Sequence, residues 1–152
     1  MDFNQIQIIF QLLAAVILGG LVGLEREYKR KEAGLQTYSL VCLGSCIFTI
    51  ISTEISKIYT DFLNQSIISF DPSRIILAIA TGIGFIGAGV IIHRHEHIEG
   101  ITTAAGLWAT AAIGTAIGFK FYFTAIVASI LIIFIFIVFG ILERTIFKNN
   151  YK

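Results

Sequence analysis

Three short blocks combine charged and hydroxyl side chains in patterns that can bind an ion or a partner. They are Gly23-Leu24-Glu25-Arg26-Glu27, Asp71-Pro72-Ser73-Arg74, and the segment from Gly100 to Trp108. Carboxylates bind cations, whereas guanidinium groups and the free N–H groups of a helix start bind anions. No nucleophile–base pair and no cofactor motif accompanies these blocks, so we do not expect an enzyme. The candidate functional polar residues are Glu25, Arg26, Glu27, Asp71, Arg74, Thr102, Thr103 and Trp108.

Each block also has a purely structural interpretation. Residues 25–27 form either a solvated helix end or a charged pocket at the cytoplasmic mouth of the protein. Thr102 and Thr103 would complete such a pocket with hydroxyl groups and free N–H groups. Trp108 lies about 10 Å further along the same helix, deeper than the aromatic belt of a membrane protein. We expect it to pack against a surface of glycines.

The second block is typical of a helix start. Asp71 is a strong N-cap residue and Pro72 suits the first helical turn. Arg74 opposes the helix dipole there, at about 0.3–1 kcal/mol, so we expect Asp71, Glu54 or a lipid phosphate beside it. The block is either a site at the outer membrane boundary or an ion pair that fixes helix register.

Two further groups of residues suggest metal or redox chemistry. His93, His95 and His97 alternate, so an extended loop would place all three on one side. They either bind a metal ion or form a wet loop whose charge changes near neutral pH, and we favour the second interpretation. Cys42 and Cys46 share a helix face, and we interpret them as small packing residues rather than a redox or metal pair.

Membrane helices must position these residues, because the 152-residue chain is 56% hydrophobic and only 14% charged. Soluble domains carry roughly 25% charged residues. A bilayer core about 30 Å thick needs roughly 17–25 apolar residues as helix. We predict one all-α domain, residues 1–152, with a retained first helix. The predicted transmembrane helices are residues 6–24, 38–56, 75–92, 101–119 and 121–142.

The segment Thr81–Ile92 raises the alternative of a nucleotide site, because three of its glycines spell G-x-G-x-x-G. Dinucleotide-binding loops need a preceding strand and an acidic residue about 20 positions later, and neither is visible. We favour glycines that let membrane helices approach closely. The helix-packing glycines are Gly19, Gly23, Gly82, Gly84, Gly87 and Gly89. The first, third and fourth helices then form the core, the second and fifth lie outside, and leucine at Gly84 would break the packing.

The distribution of basic residues predicts the orientation of the chain. With the N-terminus outside, the inner segments hold eight of the 11 basic residues and the outer segments hold three: Lys57, Arg74 and Lys120. Basic residues favour the cytoplasmic side of a membrane. We therefore predict an outer N-terminus and a cytoplasmic C-terminus.

Together the blocks resemble the MgtC/SapB family of bacterial membrane proteins. The resemblance runs through GLERE (23–27), EAGLQTYSLVCLGS (32–45), DPSRI (71–75), TGIGFIGAGVII (81–92) and GITTAAGLWATAAIG (100–114), and covers most of residues 15–118. It implies a multi-pass protein of the bacterial cytoplasmic membrane, linked to growth at low magnesium and, in some pathogens, to virulence. It also marks Glu25, Arg26, Asp71, Arg74, Thr102, Thr103 and Trp108 as functional positions. Longer members add a cytoplasmic C-terminal domain. We expect nothing folded after Glu143, so the short SapB-like members are the closer comparison.

Two functions fit this resemblance. The first is a regulator that binds a membrane-protein partner or a second copy of itself in the lipid bilayer. The second is a transporter or channel for Mg²⁺ or another small ion, which needs oxygen ligands along its path. The predicted first, third, fourth and fifth helices supply no internal carboxylate, and Glu54 lies near a helix end. We therefore favour the regulator. We expect no nucleic-acid partner and no cofactor, apart from Mg²⁺ as a ligand or transported ion.

Overall fold

A computed structural model of the protein describes residues 3–63, 71–94 and 97–146, which are almost entirely helical. The first four helices are α1 (Phe3–Tyr28), α2 (Leu35–Leu63), α3 (Pro72–Val90) and α4 (Ile101–Gly118). A last, continuous helix begins as α5 (Tyr122–Phe134), passes through a π-helical turn (Ile135–Phe139) and ends as α6 (Gly140–Ile146). Between α3 and α4, β1 (Ile92–Arg94) and β2 (His97–Glu99) form an antiparallel hairpin.

Five helical segments are long and apolar enough to cross a membrane, which confirms the predicted all-α membrane bundle. These spans are Asn4–Tyr28, Leu35–Ile58, Pro72–Val90, Ile101–Gly118 and Tyr122–Glu143. The predicted boundaries are right to within a few residues, except that α2 continues to Leu63. The segment after α3, predicted as a polar loop, forms the hairpin instead.

The core of the bundle lies where α2 meets α1 and α4, so the prediction that the second helix lies outside is wrong. A Cβ added at Gly19 of α1 would lie 2.6 Å from the Cβ of Cys42. A Cβ added at Gly118 of α4 would lie 2.5 Å from the Cβ of Thr49. Glycines on α1 and α4 therefore pack against small side chains of α2, which also include the buried Cys46.

Helix α3 lies at the edge of the bundle, against α4. Its buried residues are Ile83 and Gly87, and a Cβ added at Gly87 would lie 3.5 Å from the Cβ of Ala104. A Cβ added at Gly82, Gly84 or Gly89 would meet no described atom within 4 Å. Gly19, Gly23 and Gly87 thus pack as predicted, whereas these three glycines contact no other described helix of the chain. One helix carries all four α3 glycines, unlike a strand–loop–helix nucleotide site.

Polar side chains fasten the bundle at the end where α4 finishes. The amide nitrogen of Gln11, which is buried, donates to the carbonyls of Ile117 and Gly118 at 2.8 and 3.0 Å. These two carbonyls belong to the last turn of α4, where the helix has no further N–H groups to offer. The first half of α1 therefore lies beside the end of α4. Its charged second half lies beside the beginning of α4.

Candidate functional site

The candidate site is a charged cluster at the end of the bundle where α1 turns into α2. The Nε atom of Arg26 donates to Oε2 of Glu25 at 2.5 Å, and Nζ of Lys29 lies 2.5 Å from Oε1 of the same carboxylate. The side chains of Arg26 and Glu25 are only 4% and 11% exposed. Buried charges are costly unless they are paired. The two cations and the carboxylate therefore act as one unit.

Arg26 also contacts the last helix through the ring of Phe136. The guanidinium carbon lies 3.7 Å from the ring centroid, which is a cation–π contact. The same ring meets Tyr38 edge-on, at 6.4 Å and 83°. Gly106 on α4 makes room for both aromatic side chains, because a Cβ there would overlap the Tyr38 hydroxyl and the Phe136 ring. The cluster thus joins α1, α2, α4 and the last helix.

The π-helical turn supplies a backbone acceptor to the cluster. In an α-helix the carbonyl of Phe136 would accept from the N–H of Gly140, four residues later. In this turn the Gly140 N–H donates to the carbonyl of Ile137 instead. The Phe136 carbonyl accepts from Nζ of Lys29 at 3.1 Å. Non-α turns of this kind often occur at functional sites.

The α1–α2 connection is tied to the beginning of α4. The hydroxyl of Thr103 donates to Oε2 of Glu32 at 2.6 Å, and the Tyr38 hydroxyl donates to the Thr103 carbonyl at 3.2 Å. The bond from Thr103 is the main reason why the pKa of Glu32 lies below its ordinary value, and the charges of Lys31 and Arg26 add to it. The Glu32 carboxylate therefore stays ionised at neutral pH and holds the connection against α4.

Of the residues predicted for the inner site, Glu25 and Arg26 pair directly, and Thr103 is joined to the same end of the bundle through Glu32 and Tyr38. Glu27 is exposed and accepts from the backbone N–H of Leu35 at 3.1 Å, which stabilises the start of α2. Thr102 is exposed, and none of the cluster contacts described above involves it.

Four contributors were missed from the sequence: Lys29, Glu32, Tyr38 and Phe136. Glu32 and Tyr38 stand in the EAGLQTYSLVCLGS block, which was the available signal for them. Trp108, which was expected to pack against a surface of glycines, is 56% exposed on the surface of α4.

Asp71 and Arg74 lie at the opposite end of the bundle, because α3 ends beside the start of α4. Oδ1 of Asp71 accepts from the backbone N–H and the hydroxyl of Ser73 at 3.0 and 2.6 Å, and these bonds lower the Asp71 pKa. Nε of Arg74 is 3.7 Å from Oδ2 of Asp71, and the two side chains are 88% and 47% exposed. Glu54, the other proposed partner, pairs with Lys57 at 2.6 Å. This block is an exposed helix cap.

The histidine loop is only partly described. His95 lies outside the described residues, while His93 and His97 belong to the two paired strands of the hairpin. The prediction that all three histidines lie on one side assumed a single extended loop, and a hairpin is found in its place. Among residues 3–63, 71–94 and 97–146, no group of three or more His, Cys, Asp or Glu side chains is placed to hold a metal ion.

Comparison with known proteins finds relatives over most of the chain. The sequence profile of the MgtC family matches residues 12–145. An uncharacterized protein of Haemophilus influenzae is 41% identical over 124 residues, which are 81% of this chain and 51% of that protein. The Escherichia coli K12 protein named "Putative magnesium transporter YhiD" is 40% identical over 145 residues, 95% of this chain and 66% of its own length.

Protein MgtC of Salmonella typhimurium is 38% identical over 125 residues, which are 82% of this chain and 49% of that protein. The chain therefore spans between about half and two thirds of the length of these relatives. No solved structure matches.

Proposed function

The chain belongs to the MgtC family, and from this premise we propose that it serves magnesium homeostasis by binding and regulating another membrane protein. It is a multi-pass bacterial membrane protein. The magnesium link comes from the name of the Escherichia coli relative. The proposed role is non-enzymatic and uses no resident cofactor.

The position of the carboxylates is the observation that carries this proposal. Glu25 and Glu54 lie three and four residues from the ends of their membrane spans, and Glu143 ends the last span. Within the described residues, the middle of every span is free of Asp and Glu. Mg²⁺ prefers oxygen ligands and gives up its waters reluctantly, so a conduction path needs carboxylates or carbonyls along it. In the described part of a single chain, no such row of carboxylates crosses the membrane.

The outer face of α3 supports the choice of a protein partner. Gly82, Gly84 and Gly89 are exposed there, with no described neighbour within 4 Å of an added Cβ. Membrane helices associate through close backbone approach, which small residues permit. A helix of a partner can therefore approach α3 more closely than it can approach the bulky surface of α5.

Magnesium flux into liposomes tests the regulatory proposal against transport. The purified chain is reconstituted alone around a Mg²⁺-sensitive dye, beside Glu25→Gln and Asp71→Asn variants and protein-free liposomes. We expect the same slow leak in all four samples. Flux that requires Glu25, while Asp71→Asn keeps it, would overturn the regulatory proposal and make the buried cluster part of an ion path.

Partner capture tests whether the outer face of α3 is the surface that binds a partner. The chain is purified from its own membranes in mild detergent as wild type, as Gly84→Leu and as Gly44→Leu. Gly44 is a matched control on α2, because an added Cβ there also meets no described atom within 4 Å. We expect Gly84→Leu to lose a co-purifying membrane protein at least tenfold and Gly44→Leu to keep it. Equal recovery in all three preparations would remove α3 as the recognition surface.

A Mg²⁺ or other small-ion transporter is the second candidate function. The name of the Escherichia coli relative favours it. Since the spans lack central carboxylates, transport would need several copies of the chain with carbonyl groups lining the gaps between them. The liposome experiment decides between the two functions, because it contains no other protein.

A further inference from the structure

We propose that the last helix has two backbone hydrogen-bonding registers after Phe136, one π-helical and one α-helical. Lys29 selects the π-helical register by binding the Phe136 carbonyl. The proposal concerns a conformational device and does not depend on the regulatory function. It starts from the π-helical turn Ile135–Phe139, which interrupts an otherwise regular helix. Such a turn contains one residue more than the α-helical turn that would replace it.

The two registers use the same carbonyl in different ways. In the observed register the Gly140 N–H donates to Ile137, and the ammonium group of Lys29 donates to the carbonyl of Phe136 at 3.1 Å. In the α-helical register the Gly140 N–H returns to the Phe136 carbonyl. The ammonium group of Lys29 then loses its backbone acceptor. The cation and the regular helix compete for one acceptor.

Other contacts prepare the site for the cation. Glu25 holds Nζ of Lys29 at 2.5 Å from its carboxylate, and the Arg26 guanidinium holds the ring of Phe136 at 3.7 Å. The residue at the end of the turn is Gly140, and an added Cβ there would already lie 3.5 Å from Nζ of Lys29. Phe136 is thus fixed through both its ring and its backbone. Arg26 lies in the last turn of α1, and Lys29 directly follows that helix.

A change of register would move everything after the turn. In the α-helical register the extra residue no longer fits within the turn, so the following segment turns by about 100° and shifts by about 1.5 Å along the helix. Residues 140–146 would then present a different face to their surroundings. An anionic group that draws Lys29 away from Phe136 is the kind of signal that would release the turn.

Distances between two spin labels test the proposal in lipid nanodiscs. One label is placed at Tyr28, which is 88% exposed, and the other at Ile141, which is 57% exposed and lies after the turn. A second pair, Tyr28 and Ile130, lies before the turn and reports whether the fold survives. Deletion of Val138 removes the extra residue, so a regular α-helix then leaves Ile141 near its wild-type distance from Tyr28.

We expect the Lys29→Met variant to change the distance between Tyr28 and Ile141, with the Tyr28–Ile130 distance unchanged, and deletion of Val138 in the same variant to restore the wild-type Tyr28–Ile141 distance. Lys29→Arg, which keeps a donor, and Lys31→Met, an exposed neighbour, should retain the wild-type distances. An unchanged Tyr28–Ile141 distance in Lys29→Met would overturn the proposal. So would loss of the Tyr28–Ile130 distance in Lys29→Met or in the deletion, because the second register must leave the rest of the fold intact.

Discussion

Arg26 is a buried cation at the edge of the hydrocarbon layer, and its contacts come from two helices. Glu25 on α1 neutralises it, and the ring of Phe136 on the last helix faces its guanidinium group. A guanidinium group suits this position because it is planar, stacks on aromatic rings and is more weakly hydrated than an ammonium group. The residue therefore contributes to the packing of the bundle as well as to its charge balance.

Arg26→Met should lower the free energy of unfolding by about 3 kcal/mol, because it leaves the buried Glu25 carboxylate with Lys29 as its one close cation. Thermal unfolding of the protein in detergent measures the effect. The matched control is Arg74→Met. Arg74 is 88% exposed and lies 3.7 Å from Asp71, so we expect a change within about 0.5 kcal/mol. Equal losses in the two variants would contradict the assignment of the buried cluster.

At this scale the sequence predicted the charged half of the site and missed the aromatic half. Glu25 and Arg26 stand out because they directly end a long apolar run and charged residues are rare within membrane spans. Phe136 is 107 positions from Lys29 and lies in a uniformly apolar segment, so nothing local distinguishes it from its neighbours. The carbonyl that the π-helical turn frees accepts from Lys29, a contact between residues far apart in the sequence.

At the scale of the helices, the side chains that pack against glycine matter as much as the glycines themselves. The glycine spacing correctly predicted close packing by α1 and α4 and wrongly assigned the same role to most of α3. The surface that receives α1 and α4 belongs to α2, where Cys42, Ser45, Cys46 and Thr49 are buried. These residues are small, but their spacing contains no glycine motif. The one glycine of α2, Gly44, faces open space.

Gly114→Ala and Gly84→Ala should therefore differ in stability. A Cβ at Gly114 would lie 2.9 Å from the carbonyl carbon of Cys42 and 3.0 Å from the Cβ of Ser45. We expect this substitution to cost about 1–3 kcal/mol through overpacking. Gly84→Ala has open space around it and, because alanine favours the helix over glycine, should be neutral or stabilise the protein by up to about 1 kcal/mol. Unfolding midpoints of the two purified variants provide the comparison, and a larger loss for Gly84→Ala would contradict the packing described for α3.

At the scale of the whole molecule, orientation in the bilayer remains a prediction from charge. Reporter domains that are active on only one side of the membrane, fused after Ile146, should report a cytoplasmic C-terminus. The reason is that eight of the 11 basic residues lie on that side in the predicted orientation. A second fusion, placed in the α2–α3 connection, should report the opposite side. The reverse pattern would place the charged cluster outside the cell.

Helix α2 gives the molecule an uneven profile across the membrane. Gly118, the last residue of α4, lies beside Thr49, yet α2 continues for 14 more residues to Leu63, or about 21 Å. At the other end, the hydrogen bond from Thr103 to Glu32 holds the start of α4 beside the connection that leads into α2. Most of the α2 extension belongs to the membrane span Leu35–Ile58, and the last turn of α2, residues 59–63, continues beyond the span. A water-borne molecule can reach this last turn without entering the lipid.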